Sequence, residues 1–262
     1  MPAQQTAEYD LTGLSGQTLY DKFKAMLIES GGVIFDEYAV GGTLYLVEQV
    51  SVPGSPDVYA RWHVNGTTIS APAFFRGWAA SSHAGANQMT PVLNTALATG
   101  YVYARMYTIP GKLRMLGVGH ATVPQTQTFG WFVPDNAPIG WPSASYPFMA
   151  SGIGYNVPLA AQSAVPQLNG LNNSPSCTCS QMPLPGTVDG TLTGTLFRYP
   201  AVVAPHFGQH LYPDDFLVIT GRASTDFSSL RGADYTVNVN GETRTYRALY
   251  INGTYAFCLR MS

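Results

Sequence analysis

The sequence predicts a mainly β protein, built of antiparallel sheets in a sandwich or barrel-like arrangement, with one N-terminal helix and a long irregular loop or arm. Three observations carry this. Short segments that alternate apolar and polar side chains are separated by Gly-Gly, Asn-Gly and Pro-Gly pairs. A single segment near the start has the apolar spacing of a helix. Residues 134–194 are crowded with Pro, Gly, Ser and Asn and show no period.

The helix is read in "TLYDKFKAMLIESGG": Thr18 as cap, Asp21 complementing the dipole, Leu19, Phe23, Met26 and Leu27 as the apolar stripe, and Gly31-Gly32 as the stop. "VIFDEYAVGGTLYLVEQV" follows as two strands around Gly41-Gly42, the second alternating Leu44 and Leu46 with Tyr45 and Val47. "DVYARWHVNGTTIS" is a hairpin turned at Asn65-Gly66. The spacing of "TPVLNTALATG" (90–100) fits a short helix ending at Gly100. "YVYARMYTI", Pro110-Gly111 and "KLRMLGVG" make the next hairpin, and "TQTFGWFVP" another strand. After the 134–194 arm, "TLFRYPAVVA" and "DFLVITGRA" are strands, and the chain closes in a meander turned at Asn240-Gly241 and Asn252-Gly253. The expected organisation is a helix plus β core over 1–133, the arm over 134–194, and C-terminal strands over 195–262 that complete the same domain.

Charge is the informative part of the composition. Asp, Glu, Lys and Arg make up 11% of the chain, against about 25% in an ordinary soluble protein. From Trp62 to Phe197 only Arg76, Arg105, Lys112, Arg114, Asp135 and Asp189 are charged. So much uncharged surface, in a chain with 16 Tyr, 12 Phe, 4 Trp and 8 Met, is the composition of a protein packed against neighbours. A net charge of −2 and a pI near 6.2 give no electrostatic case for nucleic acid. No apolar run approaches the roughly 18–20 residues needed to span a bilayer, and MPAQQTAEYD has none of the features of a secretory signal. Three cysteines, an odd number, fit synthesis in a reducing cytoplasm.

Against that background, "YARMYTIPGKLRMLGVG" (103–119) gathers three cations. Strand alternation sets Arg105 opposite Ala104 and Met106, and Arg114 opposite Leu113 and Met115, so Arg105 and Arg114 are expected on the outward face of one hairpin. Their partners would come from distant segments or from another subunit, since no carboxylates lie nearby in sequence.

Motifs for chemistry are weak. His206 and His210 with Asp214 and Asp215 have a ligand-like spacing, but Gly208 and Pro213 break the helix that would present them, and the HExxH signature is missing. Cys177 and Cys179 have no second pair to complete a zinc site and read as free thiols. There is no G-x-S-x-G elbow and no phosphate loop, and the middle of the chain offers only two carboxylates for a glycosidase pair. The expectation is no catalytic residue, no metal and no cofactor. The sequons at Asn65 and Asn252 coincide with hairpin turns, which explains them without glycans; Asn172 carries a third.

The stretch from Tyr101 to Gly152 resembles a motif of virion structural proteins of tailed bacteriophages. There an aromatic pair leads into a basic tight turn, an aliphatic strand, a glycine-containing aromatic strand ending in proline, and an aromatic-proline entry to a loop. Here Tyr101 and Tyr103 match the aromatics, Lys112 and Arg114 the turn cations, Phe129-Gly130-Trp131-Phe132-Val133-Pro134 the glycine strand, and Tyr146-Pro147-Phe148 the entry. Upstream, "YDKFKAMLIESGGVIFDEY" and "GSPDVYARWHV" are similar to the opening of the same proteins, so the resemblance spans roughly residues 18–150. It implies a neck, tail or baseplate component, made in the host bacterial cytoplasm and built into the virion, whose partners are copies of itself and other virion proteins, with neither nucleic acid nor membrane among them. Arg105, Lys112, Arg114, Trp131, Trp141, Tyr146 and Phe148 are the candidate inter-subunit contacts. The alternative is a carbohydrate- or receptor-binding module, in which Trp131, Trp141 and Tyr146 would line a groove and stack on sugar.

Overall fold

A computed structural model describes residues 2–51, 57–88, 96–98, 102–120, 126–132, 135, 148–152, 160–163, 176–177, 179–184, 186–188, 195–204, 209–211, 215–220, 234–252 and 255–262. The protein is mainly β, with antiparallel sheets and a single α-helix among the described residues.

The helix, α1 (Gly16–Glu29), starts earlier than its sequence suggests. Ser15 is the N-cap, and Thr18 lies in the first turn with its hydroxyl donating to the Ser15 carbonyl at 2.9 Å. The stop is as expected. Gly31 adopts φ +84, its amide donates to Ile28 O, and the Gly32 amide donates to Leu27 O. This is the pair of bonds of a Schellman motif, which needs a left-handed residue just past the C-cap. Leu19, Tyr20, Phe23, Met26 and Leu27 form the buried stripe.

An N-terminal sheet covers that stripe. It runs β2 (Val33–Val40), β3 (Thr43–Val50), β4 (Val58–Asn65), β5 (Thr68–Ala79), β6 (Ala84–Gln88), with β7 (Ala96–Ala98) also pairing β5. Its first turn is Gly41-Gly42, with φ +56 and +83, the doubly left-handed geometry of a type I′ hairpin. The second turn differs from expectation by one residue. Asn65 pairs Thr68, so the turn residues are Gly66 and Thr67, and only Gly66 has positive φ. Residues 96–98 are a strand rather than part of a helix, because they complete the edge of β5 at Thr68–Ser70; residues 90–95 and 99–100 lie outside the described residues. The sheet curls, and the end of β5 comes back over β2, where Trp78 and His83 meet Asp36.

The middle sheet has the order β1 (Gln4–Asp10), β8 (Val102–Ile109), β9 (Leu113–His120), β10 (Thr126–Phe132), β11 (Phe148–Gly152), β12 (Ala160–Ser163), β13 (Ser176–Cys177). One face contributes Ala104, Met106, Leu116 and Trp131 to the core shared with α1, Leu46, Val58, Trp62 and Val64. Phe23 meets Trp62 edge-on at 5.1 Å in that core. Gly130 is required by close approach: a Cβ there would run into the Arg114 carbonyl and sit 2.8 Å from Met115 Cα.

The C-terminal sheet runs β14 (Cys179–Leu184), β16 (Thr195–Ala204), β18 (Phe216–Thr220), β21 (Tyr255–Arg260), β20 (Glu242–Asn252), β19 (Asp234–Val239), β15 (Gly186–Val188), with β17 (Gln209–Leu211) beside β16. The meander turn at Asn240-Gly241 has φ +51 and +83, as its sequence requires. Apart from Asp135, the described parts of the 134–194 segment are strands β11 to β15, divided between the middle and C-terminal sheets. A run without period thus supplies pairing edges inside the chain, each too short for alternation to be read.

Candidate functional site

The three cations of the 103–119 stretch are placed by one turn. Pro110 and Gly111 are its central residues, Gly111 has φ +68, and the Lys112 amide donates to Ile109 O at 3.0 Å. Pro then Gly at these places is the type II signature. The loop sets Ile109 against Leu113, hence Arg105 against Gly117 and Thr108 against Arg114. Directly opposed residues share a face, so Arg105 and Arg114 emerge on opposite faces of the hairpin. The shared outward face expected from alternation does not exist, because an odd-length loop carries the alternation across with a phase that counting along each strand separately misses.

Arg105 stays at the surface and meets Glu8, its opposite number on β1, at 3.1 Å. That guanidinium holds the Glu8 carboxyl below its usual range. Lys112 reaches from the turn to Asp135 at 2.7 Å and to Asp215, just ahead of β18. Burial opposes the Lys112 charge, but the two carboxylates outweigh it and raise its pKa. Asp215 is 2% exposed, and burial pushes its carboxyl up against the pull of Lys112.

Arg114 turns inward beneath the end of α1. Its Nη1 pairs with Glu48 of β3; Nη2 donates to Leu27 O at 2.9 Å and to Ser30 Oγ at 2.8 Å; Nε donates to Ser30 O at 3.2 Å. The guanidinium therefore caps the helix carbonyls and neutralises a carboxylate that is 2% exposed. Burial pushes Glu48 up, while Arg114 and the Trp62 side chain draw it down by hydrogen bonding. Gly32 makes the room: a Cβ there would come 2.7 Å from both Arg114 Nη2 and Glu48 Oε1. The four Arg114 bonds engage Nε and both terminal nitrogens, four of the guanidinium's five N–H donors, so the arrangement holds three elements together.

A second cluster lines the curl of the N-terminal sheet, and sequence reading did not find it. Registers place Tyr38, Tyr45, His63 and Ser70 in one row across β2, β3, β4 and β5. Tyr38 stacks on Tyr45 at 4.7 Å and on His83 at 4.3 Å. Asp36 Oδ2 accepts from Trp78 Nε1 at 2.8 Å and pairs with His83 Nδ1 at 2.9 Å. Burial works against the Asp36 charge, yet these bonds hold its carboxyl below the usual value. At the other end Ser70 Oγ lies 2.6 Å from His63 Nε2, and burial lowers the His63 pKa. Arg61 lies over the Tyr45 and Phe75 rings. A Ser–His pair and an Asp–His pair are both present, but the rings of Tyr45 and Tyr38 stand between them in the row. Part of the signal was available in the two-residue turns, which fix the Tyr38–Tyr45 and His63–Ser70 pairs; the Tyr45–His63 pair depends on the longer 51–57 connection between β3 and β4.

The remaining expected contacts fare differently. Trp131 is taken up by the chain's own core and is 8% exposed, which leaves it neither on an outer contact surface nor in a groove. Phe148 begins β11, its backbone paired with Phe132 and Ser163. Trp141 and Tyr146 lie outside the described residues, as do His206 and Asp214. His210 sits in β17 opposite Val203, and no group of metal-ligating side chains occurs among the described residues. Cys177 and Cys179 fall in β13 and β14; Cys258 is a buried free thiol whose pKa is raised by that burial. No helix among the described residues is long and apolar enough to cross a membrane.

Compared with known proteins, the chain matches no family model, and neither a curated protein nor a solved structure matches it.

Proposed function

We propose that this protein is a structural subunit of a tailed-phage virion, a neck, tail or baseplate component made in the bacterial host and acting through assembly with copies of itself and with other virion proteins. The carrying observation is how charge is spent. Arg105, Lys112 and Arg114, three of the four cations in the charge-poor Trp62–Phe197 stretch, are each paired with a carboxylate of the same chain. Little free charge is left there to solvate the molecule or to steer a charged ligand, and a surface of that kind suits close packing against neighbours. The phage context comes from the resemblance over roughly residues 18–150. The role is mechanical, without catalysis.

Light scattering of the purified protein, with negative-stain images of the same fraction, tests the assembly. Closed rings or regular polymers are expected; a monomer at every concentration would sink the reading. Mass spectrometry of purified particles from the phage that encodes the chain tests the context, with its peptides expected in the particle at structural copy number.

A further inference from the structure

Every large hydrophobic side chain that is exposed among the described residues lies in one short stretch: Ile28 at 50%, Val33 at 56%, Phe35 at 40% and Val40 at 60%. Three of them are on β2, which is an edge of the N-terminal sheet. We infer that β2 is an assembly edge and pairs antiparallel with β2 of a second copy of this chain, across a twofold axis at Tyr38. This names one contact of the assembly proposed above, the one that pairs copies across a twofold axis, and rests on that reading.

The backbone comes first. Val40 and Thr43 flank the two-residue Gly41-Gly42 turn and so form a hydrogen-bonded pair, as does Tyr38 with Tyr45 two residues on. The intervening residues, Glu37 and Ala39, point their N–H and C=O groups outward. An edge of this kind is a template for another strand unless something blunts it. The usual blunting charges are turned away. Asp36 is held by His83 and Trp78, and Glu37 by Lys24 at 2.6 Å and Tyr20 at 2.7 Å. The one irregularity, between Ile34 and Asp36, lies before the free segment.

The register follows from like charge. An axis at Glu37 would set the two Glu37 side chains directly opposite each other, which is unfavourable. An axis at Tyr38 sets Glu37 against the Ala39 of the other copy, and these two residues exchange both backbone bonds. Val40 then comes over the Phe35–Asp36 end of the other copy, so apolar side chains cover each other at both ends. The sheet's other long edge does not complement β2 in this way. β6 is Ala-Gly-Ala-Asn-Gln, small and polar, with Asn87 at φ +52.

The test uses the whole chain by light scattering and hydrogen exchange, with the variants Ala39→Pro and Val40→Glu. Ala39 faces Leu44 in a pair that leaves its amide free, so proline removes only the outward donor. Val40 is exposed enough to accept a carboxylate. Circular dichroism confirms that both variants keep the wild-type fold. The expected result is a wild-type assembly with slowed exchange at Glu37 and Ala39, and variants whose mass falls at least twofold. If the wild type assembles and both variants keep its mass, β2 is not the edge, and the assembly reading survives without it. If Ala84→Lys on β6 releases the assembly while the β2 variants do not, the contact runs through β6 and the inference is overturned. A wild-type monomer at all concentrations overturns both.

Discussion

Arg114 on β9 and Glu48 on β3 close an ion pair directly under the last turn of α1, where Leu27 and Ser30 supply the carbonyls that complete the guanidinium's hydrogen bonds. Two sheets and the helix meet at that one side chain. Replacing Arg114 by Met leaves Glu48 buried without a counter-charge, which costs about 3–5 kcal/mol. The double variant Arg114→Met/Glu48→Gln recovers much of the loss, because the uncompensated charge goes with it. Urea unfolding of the wild type and the two variants measures this; equal losses in single and double variants would contradict it.

Lys112 and Asp215 give a related case with a pH signature. Lys112→Met takes the ion-pair partner from the buried Asp215 while leaving Asp135 nearby, and costs about 3 kcal/mol at neutral pH. Burial raises the folded pKa of Asp215, and removing Lys112 raises it further. A group with a raised folded pKa binds its proton more readily when folded, so acidification relieves the penalty. The stability gap between wild type and variant is therefore expected to narrow between pH 7 and the ordinary carboxylate range of about 4, as read by thermal melts.

Asp36 runs in the opposite direction. Its carboxyl is held low in the folded protein, so the stability drawn from His83 and Trp78 is complete above the ordinary Asp value of about 4 and is lost as pH falls through the lower folded value. His83→Ala removes one of the two bonds. Its melting temperature should fall less steeply with acid than that of the wild type, and parallel curves would refute this assignment.

Gly130→Ala tests the β9–β10 approach. The added methyl meets the Arg114 carbonyl and Met115 Cα, which are backbone atoms and cannot swing aside. A loss at the upper end of about 1–3 kcal/mol is expected from denaturant unfolding. Gly32→Ala meets the Leu27 carbonyl as well as Arg114 and Glu48, so only the part of its cost that comes from displacing Arg114 from Glu48 should shrink in an Arg114→Met background.

What was legible in the sequence were features that depend on a few adjacent residues. Gly41-Gly42 and Asn240-Gly241 demand left-handed backbone, so their hairpins follow; the Leu19–Leu27 stripe and Gly31 define a helix and its end. What was not legible depends on distant pairing. β1, a polar Gln-Gln-Thr-Ala-Glu-Tyr-Asp run, is a strand because β8 offers it an edge. Residues 96–98 are extended because β5 is there. The faces of Arg105 and Arg114 needed the turn's register as well as strand alternation, and the Asp36–His83 pair joins residues brought together only by the curl of the sheet.

The Ala3 amide donates to the carbonyl of Arg260 at 3.0 Å, and Arg247 reaches Gln5 from β20 at 3.1 Å. β1 is therefore docked on one side by β8, about a hundred residues downstream, and tied on the other to strands synthesised far later still. Local α1 and the β2–β3 hairpin can form as they leave the ribosome, but the first strand has to wait. Such long-range closure is slow, because the loop entropy is lost before any contact offsets it. Until β20 and β21 are made, the outer side of β1 stays open to another nascent chain, which makes the order of synthesis itself a control on when the fold closes.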